Sequence, residues 1–301
     1  MLTDLGLISD STVHKFAQGT RDREDLTVMR DRNSGVIFID DFVTAKETYE
    51  TGEYRTIGAS VYGKRDYEIS VDVRRRVKDY EQFFVGKKIL DFGCGEGTFL
   101  LDIQHRAAQV AGVEIENGYV NKLNDEGIKC FRNLSETTEK FDTIFCFHTL
   151  EHLSNPLEIL CELREHLCDG GALILEVPHA NDFLLRYLNS EQFKKFTLWS
   201  QHLILHTRVS LNVILQAAGF KRIIIQGKQR YKVSNHLYWL SNEQPGGHKT
   251  ELSAIEFKGK FLQGHYIVGI TNPSAKIIID KKEVKVSNDG YFVFGIDRDR
   301  K

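Results

Sequence analysis

Asp91, Gly93, Cys94, Gly95 and Gly97 crowd into one run, Ile89-Leu90-Asp91-Phe92-Gly93-Cys94-Gly95-Glu96-Gly97-Thr98. Glycines at alternate positions let a chain turn tightly and approach a ligand with no Cβ in the way. A carboxylate two residues before the first of them would repel a pyrophosphate but suits a ligand carrying an ammonium group. About twenty residues on, Gln109-Val110-Ala111-Gly112-Val113-Glu114 ends in a second acid, the place for a carboxylate that holds ribose hydroxyls. The chemistry expected is the binding of a nucleotide-like ligand. Dinucleotide-binding proteins also carry a glycine-rich loop, but with the spacing G-x-G-x-x-G. Asp91 and the G-x-G-x-G spacing both count against that reading.

These groups need strands to carry them. Ile89 to Phe92 reads as a short buried strand that runs into the glycine turn, and a helix starts near Thr98. Its free N–H groups and positive dipole end favour a negatively charged group. Further strands are expected at 109–114, 128–132, 141–147 and 172–177, the last fed by a Gly170-Gly171 turn. Helices are expected near 118–124, from Asn155-Pro156-Leu157-Glu158, and over 210–218, ending at Gly219. In the second of these, Leu157, Leu160, Leu163 and Leu167 form an apolar stripe for the core. Segments 220–226 and 235–240 read as two closing antiparallel strands.

In this order the motifs resemble the class I S-adenosylmethionine-dependent methyltransferases over roughly residues 85 to 240. The carriers are the Asp91 to Gly97 loop, the strand to Glu114, the run Phe141 to Leu153 with Leu150-Glu151-His152, and Cys168-Asp169-Gly170-Gly171 with its strand. The resemblance implies an α/β, doubly wound, Rossmann-like seven-stranded sheet closed by an antiparallel hairpin. It implies S-adenosylmethionine as cofactor, with Asp91 near the methionine ammonium and Gly93, Cys94, Gly95 and Gly97 against the ligand. Glu114 would hold the ribose, and Phe147 would lie close to the adenine or sulfonium.

Sugar methyltransferases that this chain resembles place an acid-His-apolar element between the fifth strand and the last helix. Here that element is Gln201-His202-Leu203, so His202 is the candidate general base, without the acid beside it. His152 is expected to make structural hydrogen bonds. The segment 181–207, with Phe183, Tyr187, Phe193, Phe196 and Trp199, is expected to arch over the acceptor. The implied function is methyl transfer to a small molecule, with a sugar or nucleotide-linked sugar of a surface-polysaccharide pathway favoured. RNA or a quinone-like acceptor, and a cofactor-binding module without catalysis, are the alternatives.

Composition sets wider bounds. Hydrophobic residues make up 41% and charged residues 27%, as in ordinary globular chains, and the net charge of −2 argues against an obligatory nucleic-acid partner. There is no apolar run long enough for a membrane span. Met1 to Asp10 lacks the pattern of a signal peptide. Five cysteines without a C-x-x-C favour a reducing, cytoplasmic setting with no disulfide, and no metal site is expected.

The chain is expected to divide into 1–69 (an N-terminal hairpin and lid), 70–245 (the methyltransferase domain) and 251–301 (a small β module). In the first part, Val28 to Ile39 reads as a turn between short strands. It resembles the second knuckle of the zinc ribbon found in many methyltransferases of polysaccharide and antibiotic-sugar pathways, with Asp31 and Ser34 in place of cysteines. Tyr54, Tyr62 and Tyr67 would belong to the lid. Arg74-Arg75-Arg76 and Lys78 read as a solvated helix face. In the last part, Gly264 to Asp299 resembles the β domain that precedes lysostaphin-type metallopeptidases, without their catalytic part.

Overall fold

The computed structural model describes residues 1–40, 65–186, 189–228, 239, 256–258, 266–270, 274, 276–279, 282–288 and 291–295. They divide into two compact units, Met1–Arg186 with Lys194–Ile225, and Tyr187–Phe193 with Gln226–Lys301. The lid tyrosines Tyr54 and Tyr62, the side chain of Tyr67, and the Pro245-Gly246-Gly247 break lie outside the described residues.

The first unit begins with three antiparallel strands, β1 (Val13–Gln18), β2 (Thr27–Asp31) and β3 (Ile37–Ile39). The turn between β2 and β3 is where the sequence put it, while β1 was not foreseen. Asp31 is 1% exposed. Its Oδ1 accepts the N–H groups of Asn33 at 2.9 Å and Ser34 at 2.7 Å, and Oδ2 accepts the Thr12 hydroxyl. These bonds hold its carboxyl below the usual range against the opposing effect of burial. A carboxylate thus fastens the turn between β2 and β3 by hydrogen bonding.

Two helices follow, α1 (Arg65–Asp79) and α2 (Glu81–Phe84). The chain then alternates through β4 (Lys88–Phe92), α3 (Thr98–Ile103), β5 (Gln109–Val113), α4 (Asn117–Asp125), β6 (Lys129–Phe131) and β7 (Phe141–Phe147). It continues with α5 (Pro156–Glu165) and β8 (Leu167–Glu176). The five strands form one parallel sheet in the order β6-β5-β4-β7-β8. The order reverses between β4 and β7, so a crevice opens at the carboxyl ends of those two strands, where open α/β sheets bind ligands.

Packing on the two faces fixes that crevice. One face buries Leu90, Ile144, Leu160 and Leu163 with Leu211 and Ile214. The other is built on rings, with Phe99 set edge-on to Phe145 at 5.0 Å and to Phe147 at 5.3 Å. Such pairs add about 0.5–1.5 kcal/mol each beyond their burial.

Several expectations needed correction. Gly170 and Gly171 do not make a turn ahead of a strand. They form an irregularity inside one long β8, whose partners jump from Phe141–Leu167 to Thr143–Ala172. A Cβ on Gly171 would meet the Cys168 carbonyl oxygen at 2.9 Å, which explains the glycine there. Pro156 opens α5 as expected, yet the Asn155 side chain does not cap it and instead donates to Glu158 at 2.8 Å. Residues 220–226 form no strand, and 235–240 lie outside the described residues apart from Trp239. Among the described residues the sheet has five strands.

After β8 come α6 (Phe183–Arg186), α7 (Glu191–Thr197), β9 (Ile204–Leu205) and α8 (Arg208–Ala217), the last capped reciprocally by Thr207 and Ser210 and followed by Gly219 at φ +89°. β9 pairs with β3, which joins the segment after β8 to the N-terminal sheet. The second unit contains β10 (Glu256–Lys258), β11 (Tyr266–Ile270), the hairpin of β12 (Ile277–Ile279) and β13 (Lys282–Val284), and β14 (Tyr291–Gly295). β11 lies between β10 and β14, antiparallel to both. Among the described residues no helix is long and apolar enough to cross a membrane.

Candidate functional site

The loop after β4 turns on three glycines in the left-handed region, Gly93, Gly95 and Gly97 at φ +75°, +57° and +71°. At Gly93 a Cβ would come within 2.3 Å of Thr149 Oγ1, in the loop after β7. Two ligand-side loops therefore touch through a missing side chain. Cys94 points away from the crevice, with its sulfur 4.0 Å from that of Cys130, in the space left by Gly112. Only the backbone of Cys94 is placed to meet a ligand.

Asp91 ends β4 at 3% exposure, and its Oδ1 has no hydrogen-bond partner among the described residues. Burial raises its carboxyl to about 7, helped by the negative charge of Glu114 and opposed by Arg76. An unsatisfied buried carboxylate is costly, and a cationic ligand group relieves that cost. Glu114 is also buried but well satisfied. It accepts the N–H groups of Gly95 at 2.8 Å, Ile115 at 2.8 Å and Glu116 at 3.0 Å. It thereby ties the glycine loop to the end of β5, and only its remaining lone pairs are left for a ribose.

Phe147 belongs to the aromatic core and is 8% exposed. Tyr80 stacks on it at 5.8 Å, and the Arg76 guanidinium lies 4.1 Å from its ring centre. Arg76 and Tyr80 thus lie against the ring that the sequence expects close to the adenine or sulfonium.

The solvated helix face expected at Arg74 to Lys78 is corrected for Arg75 and Arg76. Arg75 grips Glu176 at the end of β8 with two bonds of 2.7 and 2.8 Å, Arg76 Nε adds one of 2.9 Å, and the Tyr80 hydroxyl another of 2.8 Å. These donors hold the Glu176 carboxyl down at about 2 despite its burial. The ion-pair cluster docks α1 beside the crevice.

On the acceptor side, the loop after β7 carries His148, Glu151 and His152. His148 is a non-glycine residue at φ +51°, a strained conformation of the kind found at functional sites. Glu151 is 1% exposed, and neither of its oxygens has a hydrogen-bond partner among the described residues. His148 Nδ1 stands 3.5 Å away, an ion-pair distance without hydrogen-bond geometry.

Leu203 N donates to the Glu151 carbonyl at 2.8 Å, which brings His202 against this loop. His152, His202 and Trp199 pack ring on ring, with centres 5.0–5.7 Å apart, and Arg21 covers Trp199 at 4.3 Å. One side-chain ligand atom each from Glu151, His152 and His202 lies within 4.8 Å of the other two. Glu151 thus brings a carboxylate within 4.8 Å of His202, without a hydrogen bond to it among the described residues. Burial and the neighbouring His152 lower the His202 imidazolium to about 3, so its ring is neutral at ordinary pH.

Of the aromatic residues expected over the acceptor, Trp199 joins this cluster. Phe193 packs edge-on against Trp239 at 5.2 Å, within the second unit. Phe183 is exposed. Tyr187 lies outside the described residues.

Comparisons with known proteins place this geometry in context. A family described as a methyltransferase domain matches residues 63–224. The chain is 27% identical over 194 residues to a ubiquinone biosynthesis O-methyltransferase of Psychrobacter arcticus, covering 54% of this chain and 70% of that one. It is 24% identical over 132 residues to its Aeromonas salmonicida namesake, covering 39% and 55%. It is 31% identical over 103 residues to a tRNA U34 carboxymethyltransferase of Campylobacter hominis, covering 30% and 36%. The matched stretch spans about half the length of such relatives, 55% in the Aeromonas case. A magnesium protoporphyrin IX methyltransferase of Synechocystis, solved with bound SAH, is 18% identical with a TM-score of 0.43, covering 62% of this chain and 93% of that one.

Proposed function

The chain belongs to the methyltransferase domain family, and from that premise we propose that it is an S-adenosylmethionine-dependent enzyme that methylates an oxygen of a small hydroxylated acceptor. The observation that carries this reading is Asp91, a buried carboxylate with an unpartnered oxygen at the carboxyl end of β4. The residues fit the cofactor. Asp91 offers an anion to its ammonium, the glycine loop has no side chains in the ligand's path, and Glu114 fixes that loop while keeping lone pairs for ribose. When bound, the cofactor supplies an electrophilic methyl group on a sulfonium.

What the chain must add is position and dryness. The Glu176 cluster holds α1 over the crevice, and the Thr149–Gly93 contact sets the acceptor loop against the cofactor loop. Trp199, His152 and His202 form the wall on which an acceptor would rest. Direct base catalysis by His202 draws less support, because a half-buried imidazole held near 3 binds a proton weakly.

The sugar acceptor rests on the resemblance of the sequence, while the likeness to ubiquinone biosynthesis O-methyltransferases favours a quinone-like one. Incubation with methyl-labelled S-adenosylmethionine and both acceptor classes separates them. Label in neither class, from a folded protein that binds the cofactor, would overturn the acceptor proposal. The β module at 251–301 is read as a packing or binding addition.

A further inference from the structure

We propose that Glu151, His152 and His202 form a binding site for one first-row divalent cation on the acceptor side of the crevice. The inference rests on the methyltransferase reading for the purpose of the site, but its geometry stands apart from that reading.

The three side chains come from two segments, the short turn Leu150–His152 and the stretch before β9, joined by the Leu203 to Glu151 backbone bond. Their ligand atoms gather within 4.8 Å. Ligands sharing a cation at 2.0–2.2 Å in tetrahedral array stand about 3.4 Å apart, so small side-chain movements would close the set. Both rings are already set for the task. His152 Nδ1 meets the Gln201 carbonyl at 2.8 Å, and His202 Nδ1 meets the Thr197 carbonyl at 3.1 Å. A carbonyl only accepts, so each Nδ1 carries the proton and each lone pair sits on Nε2. Metal-binding histidines are commonly held by this kind of outer hydrogen bond.

Glu151 supplies the second, independent observation. It is 1% exposed, neither oxygen has a hydrogen bond among the described residues, and His148 Nδ1 stands 3.5 Å away at ion-pair distance. Buried carboxylates that stay ionised are paired or coordinate metals. Two imidazoles and a carboxylate with open positions suit Zn2+, Fe2+, Co2+ or Mn2+ better than Mg2+ or Ca2+, which prefer all-oxygen sites.

The use of such a cation follows from the reaction. A hydroxyl acceptor must lose its proton as it is methylated, and a Lewis acid beside it favours the alkoxide. The acceptor oxygen forms the bond to the methyl carbon, the carbon–sulfur pair returns to sulfur as a neutral thioether, and the hydroxyl proton leaves to solvent. This assigns the Leu-Glu-His turn and His202 one shared role.

The test titrates Co2+ alone into the full-length protein after chelator treatment. One Co2+ per chain is expected, with a visible ligand-field spectrum and two exchangeable, hyperfine-shifted imidazole N–H resonances from the Nδ1 protons of His152 and His202. Glu151→Gln and His202→Ala should each weaken Co2+ binding at least tenfold while leaving S-adenosylmethionine affinity within twofold. Absence of stoichiometric Co2+, or binding without two shifted imidazole protons, would overturn the site; this readout uses the unaltered protein and survives variants that fail to fold. Failure of S-adenosylmethionine to bind in the same samples would instead strike the methyltransferase reading, leaving the Co2+ result to be judged alone.

Discussion

Replacing Asp91 by Asn perturbs the ammonium site while keeping its shape. In the unliganded protein, burial raises the Asp91 carboxyl to about 7, above its ordinary value of 3.8. Below pH 7 the group is protonated and offers the cofactor no charge, so binding must expel the proton. At pH 6, one unit below that value, only about a tenth of the molecules carry the anion, and S-adenosylmethionine affinity should be about tenfold weaker than at pH 8, a difference of about 1.4 kcal/mol. Affinity therefore rises with pH through 7 and levels off above it. The Asn variant loses a charge-assisted contact worth about 1.5–3 kcal/mol, which weakens binding at pH 8 by about tenfold to a hundredfold and flattens the profile between pH 6 and 8. Isothermal titration in two buffers of different ionisation heat also reads the released proton directly. A wild-type profile flat from pH 6 to 8, or an Asn variant binding as tightly as wild type, would refute the assignment.

Other consequences follow from the same contacts. Gly93→Ala places a Cβ 2.3 Å from Thr149 Oγ1 at φ +75°, and should cost at least about 1 kcal/mol of stability from the backbone alone; chemical denaturation with cofactor titration reads both losses. Glu176→Gln strands Arg75 and Arg76; one partner lost from a buried pair costs about 3–5 kcal/mol, and the residual 12–18% exposure here reduces that to about 2. Because the Glu176 carboxyl is held down at about 2, its contribution is present above the ordinary glutamate range and fades as pH falls from about 4.5 through 2. Melting curves of wild type and variant should converge in acid. Truncation after residue 250 is expected to leave a cooperatively melting fragment, since the core clusters of the first unit draw on no described residue beyond Ile225; a non-cooperative melt would move the boundary.

The sheet was legible because its strands carry apolar runs, with β4 leading into a glycine turn, β5 followed by Glu114 and β8 ending at Glu176. The placement of Asp91, Glu114 and the glycines at the carboxyl ends of β4 and β5 was legible from the same runs. The approach of Glu151 to His202 was not, since Gln201 stands where an acid was looked for. The carboxylate comes from fifty residues earlier, and only the Leu203 to Glu151 backbone bond brings the two segments together. Phe147 packs with Phe99, Tyr80 and Arg76, neighbours that nothing local in the sequence announces. Arg75 and Arg76 were taken for a solvated face because nothing local announces Glu176, about a hundred residues away in sequence, as their partner.

The central claim, that the crevice at the carboxyl ends of β4 and β7, flanked by Asp91 and Glu114, is an S-adenosylmethionine site, is tested most directly by calorimetric titration at pH 8 with S-adenosylhomocysteine and, separately, with NAD. Saturable one-to-one binding of the former and none of the latter is the predicted result. Binding of NAD alone, or of neither by a folded protein, would contradict it.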